Sequence, residues 1–172
     1  MICLVKVLIV YYSESQKGKQ GNEVKVASRL EKRFIEKNFE VTVFKLEIEK
    51  RLGLNQQFKR EKSISLKQNI PNVSDYKLVI IGSPIVGSLT SAPAVNAFIR
   101  GLDQEKVSDS RFAIYATGII PGFALKKMSS LLSMKGIKPI ESAVFTSIFE
   151  FDDKKMREVD QFFDKVIEKI HQ

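Results

Sequence analysis

Cysteine and histidine are almost absent from this sequence, and tryptophan is missing altogether. Cys3 is the single cysteine and His171 the single histidine among the 172 residues. One cysteine excludes an internal disulfide and a zinc site built from cysteines within the chain. A lone histidine next to the C-terminus argues against a histidine base and against histidine metal ligands. We therefore expect neither a metal site nor a catalytic histidine.

Long hydrophobic runs are missing too. No apolar stretch reaches the ~20 residues that a helix needs to span a bilayer. The apolar start, MICLVKVLIVYY, has no basic segment before it, is interrupted by Lys6 and has no small-residue cleavage site after it. These features indicate a buried strand rather than a signal peptide. We expect a cytoplasmic protein without a membrane span.

The overall composition is that of an ordinary globular protein. Hydrophobic residues make up 44% and charged residues 28% of a chain long enough for one core, so we expect a single domain over residues 1–172. The net charge of +8 favours anionic partners without determining the fold. There is no nucleic-acid motif with interleaved aromatic residues, so nucleic-acid binding is not expected. The sequence does not indicate an oligomeric state.

Strands and helices are predicted to alternate along the chain. Apolar segments rich in β-branched residues predict strands, at 5–12, 39–48, 76–82, 111–116 and 139–146. Apolar residues at helical spacing predict helices, at 23–37, 93–100, 123–135 and 152–170. Asn22 is expected to cap the first helix, and segment 52–72 to be mostly surface, with room for a short helix. The alternation predicts an α/β fold of three layers, with a parallel sheet between helices.

The loops after the first, third and fourth predicted strands form the candidate ligand site. They cover residues 13–22, 83–91 and 117–122. In an open α/β sheet, ligands bind outside the carboxyl ends of the strands, where the strand order changes direction. Each of these loops follows a strand and precedes a helix, so we expect all of them to meet at one edge of the sheet.

The first loop has residues suited to an anion. Ser13 and Ser15 offer hydroxyl groups, and Gly18 and Gly21 allow close approach to the backbone. The loop opens onto a helix N-terminus, whose unpaired N–H groups and dipole favour a negative group. The pattern is consistent with a phosphate site and equally with a polar connecting loop that binds nothing.

The second and third loops are rich in small and aliphatic residues. Their backbone N–H groups and aliphatic side chains suit a flat ring system. The alternative is that the aliphatic residues cover the end of the sheet or a protein interface. The residues concerned are Ile85, Val86, Leu89, Ile119 and Ile120.

Three segments together resemble one known family. VKVLIVYYSES followed by GNEVKVA is similar to the first strand and phosphate loop of flavodoxins. YKLVIIGSPIVGSLTSAPAVNAFI resembles their third strand, ring-binding loop and next helix, and is the most specific of the matches. FAIYATGIIPGFALKKMSSLLSMKGIKPIES is similar to their fourth strand, third loop and following helix. The resemblance to the flavodoxin-like family therefore extends over essentially the whole chain.

The resemblance implies a fold, a cofactor and a set of site residues. The fold is a doubly wound, five-stranded parallel sheet with strand order 2-1-3-4-5, and the cofactor is non-covalently bound FMN. By resemblance, the first loop would hold the phosphate and the other two would flank the ring. The implied cofactor-binding residues are Ser13, Ser15, Lys17, Gly21, Asn22, Pro84, Ile85, Val86, Gly87, Thr117, Gly118, Ile119 and Gly122.

The sequence departs from the family pattern in three places. Residues 16–20 interrupt the phosphate loop. Glu23 stands where the family commonly has threonine, and a carboxylate there repels a phosphate unless it turns outward. Lys17 and Lys19 are cations that can offset that charge. No aromatic residue is present in the second loop to stack on a flavin.

Three functions follow from the resemblance and its departures. The first is an FMN-binding electron-transfer protein, which carries electrons to a redox partner that the basic charge of the chain predicts to be acidic. The second is an FMN-dependent oxidoreductase that reduces a quinone with NAD(P)H. The third is a flavin-free module whose apolar loops contact another protein. The basic segment 52–68 is consistent with an acidic docking partner, although a charge run of this kind is more often a solvated face.

Overall fold

The structure, a computed structural model, describes residues 5–14, 21–49, 64–67, 69–87 and 89–170. Ser15, Lys17 and most of the predicted surface segment at 52–72 lie outside the described residues. Within the described part of the chain, no helix has both the length and the hydropathy needed to cross a bilayer.

Five long strands form one parallel sheet, and a two-residue strand is added at its carboxyl edge. The strands are β1 (Lys6–Tyr12), β2 (Glu40–Leu46), β3 (Leu78–Val86), β4 (Thr90–Ser91), β5 (Arg111–Gly118) and β6 (Glu141–Thr146). The long strands lie in the order β2-β1-β3-β5-β6, all parallel, while β4 pairs antiparallel with the end of β3. Counted without β4, this is the order 2-1-3-4-5 that the resemblance implied, with β2 at one edge.

Helices cover both faces of the sheet. They are α1 (Asn22–Glu36), α2 (Pro93–Arg100), α3 (Ala124–Ser133) and α4 (Asp153–Ile170). Leu8 and Val10 of β1 belong to the core beneath α2 and α3. Val7 and Ile9 belong to the core beneath α1 and α4. A central strand buried on both faces explains the nearly continuous apolar run in its sequence, and the predicted three layers are confirmed.

Helices α1 and α4 are held together by an ion pair and by aromatic packing. The guanidinium of Arg29 donates to both carboxylate oxygens of Asp160, over 2.9 and 2.7 Å. This hydrogen bond is the main reason why the pKa of Asp160 lies below its usual value. The rings of Phe34 and Phe163 meet edge to face at 4.8 Å between centroids. The apolar stripes predicted for both helices are therefore the surfaces on which they pack.

The structure corrects two local predictions. Gly21, not Asn22, occupies the N-cap of α1. The Asn22 side chain instead accepts from the Phe151 N–H at 3.1 Å and donates to the Phe149 carbonyl oxygen at 3.4 Å, which joins α1 to the loop after β6. Strand β3 also extends beyond Gly82 to Val86, because its last residues pair with β4 in a hairpin. The predicted loop at 83–91 is therefore mostly this hairpin.

Gly82 makes room for the most deeply buried tyrosine. A Cβ atom at Gly82 would overlap the ring and the hydroxyl group of Tyr115. The Tyr115 hydroxyl passes over this position and donates to the Glu23 carbonyl oxygen at 3.1 Å. Because Gly82 in β3 has no side chain, Tyr115 of β5 can form a hydrogen bond with the first turn of α1.

We expect Gly82→Ala to lower the free energy of unfolding by about 1–3 kcal/mol, because the added methyl group displaces a fully packed ring. Gly101→Ala is the matched control: its Cβ would meet its nearest neighbours at 3.5 Å, with φ at −76°. That substitution should leave stability unchanged or raise it by about 0.4–1 kcal/mol. Urea denaturation of both variants provides the measurement, and equal stabilities would contradict the proposed packing.

Candidate functional site

The carboxyl ends of the five parallel strands lie at one edge of the sheet. Helix α1, which follows β1, covers one face, whereas α2, which follows β3, covers the other. The chain therefore leaves β1 and β3 toward opposite faces of the sheet, and we call the region outside the carboxyl ends of these two strands the crevice. In doubly wound sheets this is the position at which ligands bind.

Glu23, in the first turn of α1, turns inward at this crevice. Only 7% of the residue is exposed. Its Oε2 atom accepts a hydrogen bond from the Thr117 hydroxyl at 3.3 Å, and its backbone oxygen accepts from the Tyr115 hydroxyl at 3.1 Å. Both donors are buried in β5. The carboxylate is therefore fixed between the N-terminus of α1 and the end of β5.

Gly21 and Ser13 border the same small space. A Cβ atom at Gly21 would overlap the Glu23 carboxylate and would lie 2.9 Å from the Ser13 Oγ atom. Gly21 has an ordinary φ of −63°, so the space, and not the backbone angle, is what its missing side chain provides. The Glu23 carboxylate thus borders the same space as Ser13 and Gly21, two of the three described residues that the resemblance assigned to the phosphate loop.

The negative charge of Glu23 acts on its tyrosine neighbours. Burial, and then the Glu23 carboxylate, raise the pKa of Tyr115 well above its usual value. Burial also raises the pKa of Tyr11, followed by the charges of Glu23 and Glu31. Both phenols therefore stay protonated through the physiological range, and Tyr115 remains a hydrogen-bond donor to α1.

Among the described residues, the charge of Glu23 opposes a phosphate at this position. Two unit charges of the same sign about 4 Å apart repel by about 4 kcal/mol at an effective dielectric constant of about 20. The attraction between a helix N-terminus and an anion contributes about 0.3–1 kcal/mol, or about 2 kcal/mol in a favourable buried case. Among the described residues, the repulsion therefore exceeds the attraction. Lys17 and Lys19, the cations that the sequence offers against the charge of Glu23, lie outside the described residues, as does Ser15, so their predicted roles stay predictions.

The other two loops lie directly against each other. A Cβ atom at Gly118 would come within 2.9 Å of the Ile85 side chain, and one at Gly122 would overlap the Leu89 carbonyl group. The Phe123 N–H donates to that same carbonyl oxygen. The hairpin and the loop after β5 thus form one continuous wall on the α3 side of the crevice.

Exposed apolar side chains surround this edge. Ile119 is 66% exposed, Phe123 64% and Phe149 79%; Ile120 and Ile148 are also exposed. We call these five residues the apolar rim. The sequence singled out Ile119 and Ile120 but missed the other three. The sequence signal for Ile148 and Phe149 is their position between the end of a predicted strand and the acidic start of the next helix.

The predicted site residues that the structure describes lie at the same edge, and two of them are already hydrogen-bonded within the protein. Asn22 is engaged by the loop after β6, and Thr117 by Glu23. Glu23 and Tyr115 were not among the predicted site residues, although Glu23 stood out as a departure from the family. The predicted residues found at this edge are Ser13, Gly21, Asn22, Pro84, Ile85, Val86, Gly87, Thr117, Gly118, Ile119 and Gly122.

The arrangement of Gly21 and Glu23 can be tested by a double-mutant cycle. We expect Gly21→Ala to lower stability by about 1–2 kcal/mol, because the methyl group displaces the carboxylate from its Thr117 hydrogen bond. In a Glu23→Ala background there is no carboxylate to displace. The loss of stability caused by Gly21→Ala in the wild type should therefore exceed the loss caused by Gly21→Ala in the Glu23→Ala background by about 1 kcal/mol or more. Chemical denaturation measures both losses. The same cost in both backgrounds would mean that Glu23 does not occupy this space.

Comparison with known proteins bears on the fold. No family model matches the sequence, and no curated protein sequence matches it either. Among solved structures, the chain is similar to oxidised Flavodoxin 1 from Bacillus cereus, with a TM-score of 0.67 and 13% identity over 95% of this chain and 97% of that one.

Two further structures extend this likeness. Two-electron reduced flavodoxin from Megasphaera elsdenii has a TM-score of 0.63 and 17% identity, over 92% of this chain and 98% of that one. Rubredoxin oxygen:oxidoreductase from Desulfovibrio gigas has a TM-score of 0.66 and 15% identity, and the match covers 96% of this chain but 36% of that one. At these identities the likeness establishes the fold, and the chain has the flavodoxin-like α/β fold that its sequence resemblance implied.

Proposed function

We propose that this chain binds a flavin at the carboxyl edge of its sheet and carries electrons between protein partners. The sequence resemblance pointed to FMN, and the solved structures of similar fold include flavodoxins. The proposal places the ring of the flavin at the crevice, beside the wall formed by the hairpin and the loop after β5.

The apolar rim is the observation that carries this proposal. Ile119, Ile120 and Phe123 expose more than half of their surface at the position where a doubly wound sheet binds its ligands. Apolar side chains grouped at one place on a surface mark a binding site more often than a single exposed residue does. A flat ring that is apolar on both faces and polar along its edge matches such a rim.

The residues of the site would position the flavin without taking part in proton chemistry. The backbone N–H groups of Gly87, after the end of β3, and of the loop at 118–122 would bond the polar edge of the ring, while the apolar rim keeps water away from its faces. The bound flavin supplies the electron-transfer chemistry. This role needs no side chain as a general acid or base, in agreement with the single histidine of the sequence.

The charge of the chain points to the partner. With 28 basic and 20 acidic residues, the net charge is +8. Complementary charge speeds the encounter of two proteins, so an acidic partner would associate faster than a basic one. We therefore propose an acidic redox protein as the partner.

Flavin binding is tested by colour and by thermal stability. We expect the purified protein to be yellow and to release a flavin on denaturation, or else to gain thermal stability when riboflavin or FMN is added in excess, because a ligand of the folded state stabilises it. Turnover of NAD(P)H with a quinone would instead identify an oxidoreductase. A colourless protein that neither flavin stabilises would contradict the proposal and favour a flavin-free interaction module.

The role of the apolar rim is tested by a matched pair of substitutions. We expect Phe123→Ser to weaken flavin binding about tenfold or more, since burying a large apolar side chain is worth about 1.5–3 kcal/mol. Met134→Ser is the control, because Met134 is 77% exposed at the other end of α3. Fluorescence titration of both variants measures the effect. Equal affinities would place the flavin away from the rim.

A further inference from the structure

The inference concerns which flavin the site takes, and it rests on the proposed function. We propose that Glu23 is a specificity-determining residue that excludes a phosphate from the site. The flavin bound by this chain is then an unphosphorylated one, of the riboflavin class. The inference departs from the FMN that the sequence resemblance implied.

The first argument is the position of the carboxylate. Glu23 lies in the first turn of α1, where the helix dipole favours an anion, and only 7% of it is exposed. Its carboxylate borders Gly21, whose Cβ would also approach the Ser13 hydroxyl within 2.9 Å. The chain thus supplies its own anion at the place where a phosphate would otherwise be attracted.

The second argument is that this position is anchored. Thr117 donates to the Glu23 carboxylate, and Tyr115 donates to the Glu23 backbone oxygen. Gly82 leaves the space that the Tyr115 ring needs, and Gly21 leaves the space for the carboxylate. Residues of β5, of β3 and of the N-cap of α1 therefore hold the Glu23 side chain inward. A phosphate in the place of the carboxylate would break the Thr117 hydrogen bond and move the carboxylate out.

The third argument is that a carboxylate suits the hydroxyl groups of an unphosphorylated side chain. An ionised carboxylate accepts several hydrogen bonds, and Thr117 provides one of them. A sugar-alcohol hydroxyl can donate another, and hydrogen bonds to a charged acceptor are the stronger ones. The same residue thus attracts a ribityl hydroxyl and repels a phosphate, which is how specificity between two close analogues arises.

Titration with two flavins tests the inference on the full chain. Quenching of flavin fluorescence gives the dissociation constants of riboflavin and of FMN for each protein at one salt concentration. We expect the wild type to bind riboflavin at least about tenfold tighter than FMN. In Glu23→Gln, which removes the charge, and in Glu23→Thr, which also shortens the side chain, this ratio should fall at least about tenfold.

Glu150→Gln is the matched control. Glu150 is exposed near the N-terminus of α1 and pairs with Lys25 at 2.9 Å, so the substitution removes the same charge without touching the buried carboxylate. We expect it to change the ratio less than about threefold, since exposed charges are screened by salt. A change as large as that of Glu23→Gln would attribute the preference to overall charge and overturn the inference.

The outcomes separate the inference from the proposed function. A wild type that prefers FMN, or that prefers riboflavin by less than about tenfold, overturns the inference but leaves a flavin-binding protein. Binding of neither flavin by any of the proteins overturns both. Should the Glu23 variants fail to fold, the wild-type ratio alone decides, because it needs no substitution.

Discussion

A hydrogen bond between a tyrosine of the central sheet and the first turn of a helix determines the geometry of the carboxyl edge. The Tyr115 hydroxyl reaches the Glu23 carbonyl oxygen only because Gly82 has no side chain beneath the ring. This bond joins the first turn of α1 to β5, at the residue whose carboxylate lies beside Gly21. The burial of Tyr115 keeps it protonated, so the bond does not weaken through the physiological pH range.

Much of the fold could be predicted from the sequence because its signals are local. The apolar run of β1 and the bounds of α2 depend on patterns within a few residues. Helix α2 has the predicted bounds, with Pro93 as its first residue and Gly101 as its C-cap. The hairpin at the end of β3 was missed. Pro84 and Gly87 favour a loop when the sequence is considered alone, whereas the pairing that extends the strand comes from Thr117 and from β4.

The candidate site was less predictable because its contacts join distant parts of the chain. The sequence marked Glu23 as unusual, but the direction of its side chain depends on Thr117, which lies 94 residues further along. Asn22 has the residue type of a helix cap, yet its partners are 127 and 129 residues away. No pattern of neighbouring residues contains that information. The general location of the site was predictable all the same, since parallel strands bring their carboxyl ends to one edge.

The amide group of Asn22 has a consequence for the loop that carries Phe149. It holds this loop through two backbone atoms, while Lys25 holds the neighbouring Glu150. A large aromatic ring is thus presented to solvent from a backbone that is already ordered. The loss of conformational entropy that usually accompanies recognition by a surface loop occurs here during folding, so less of it opposes contact with another molecule.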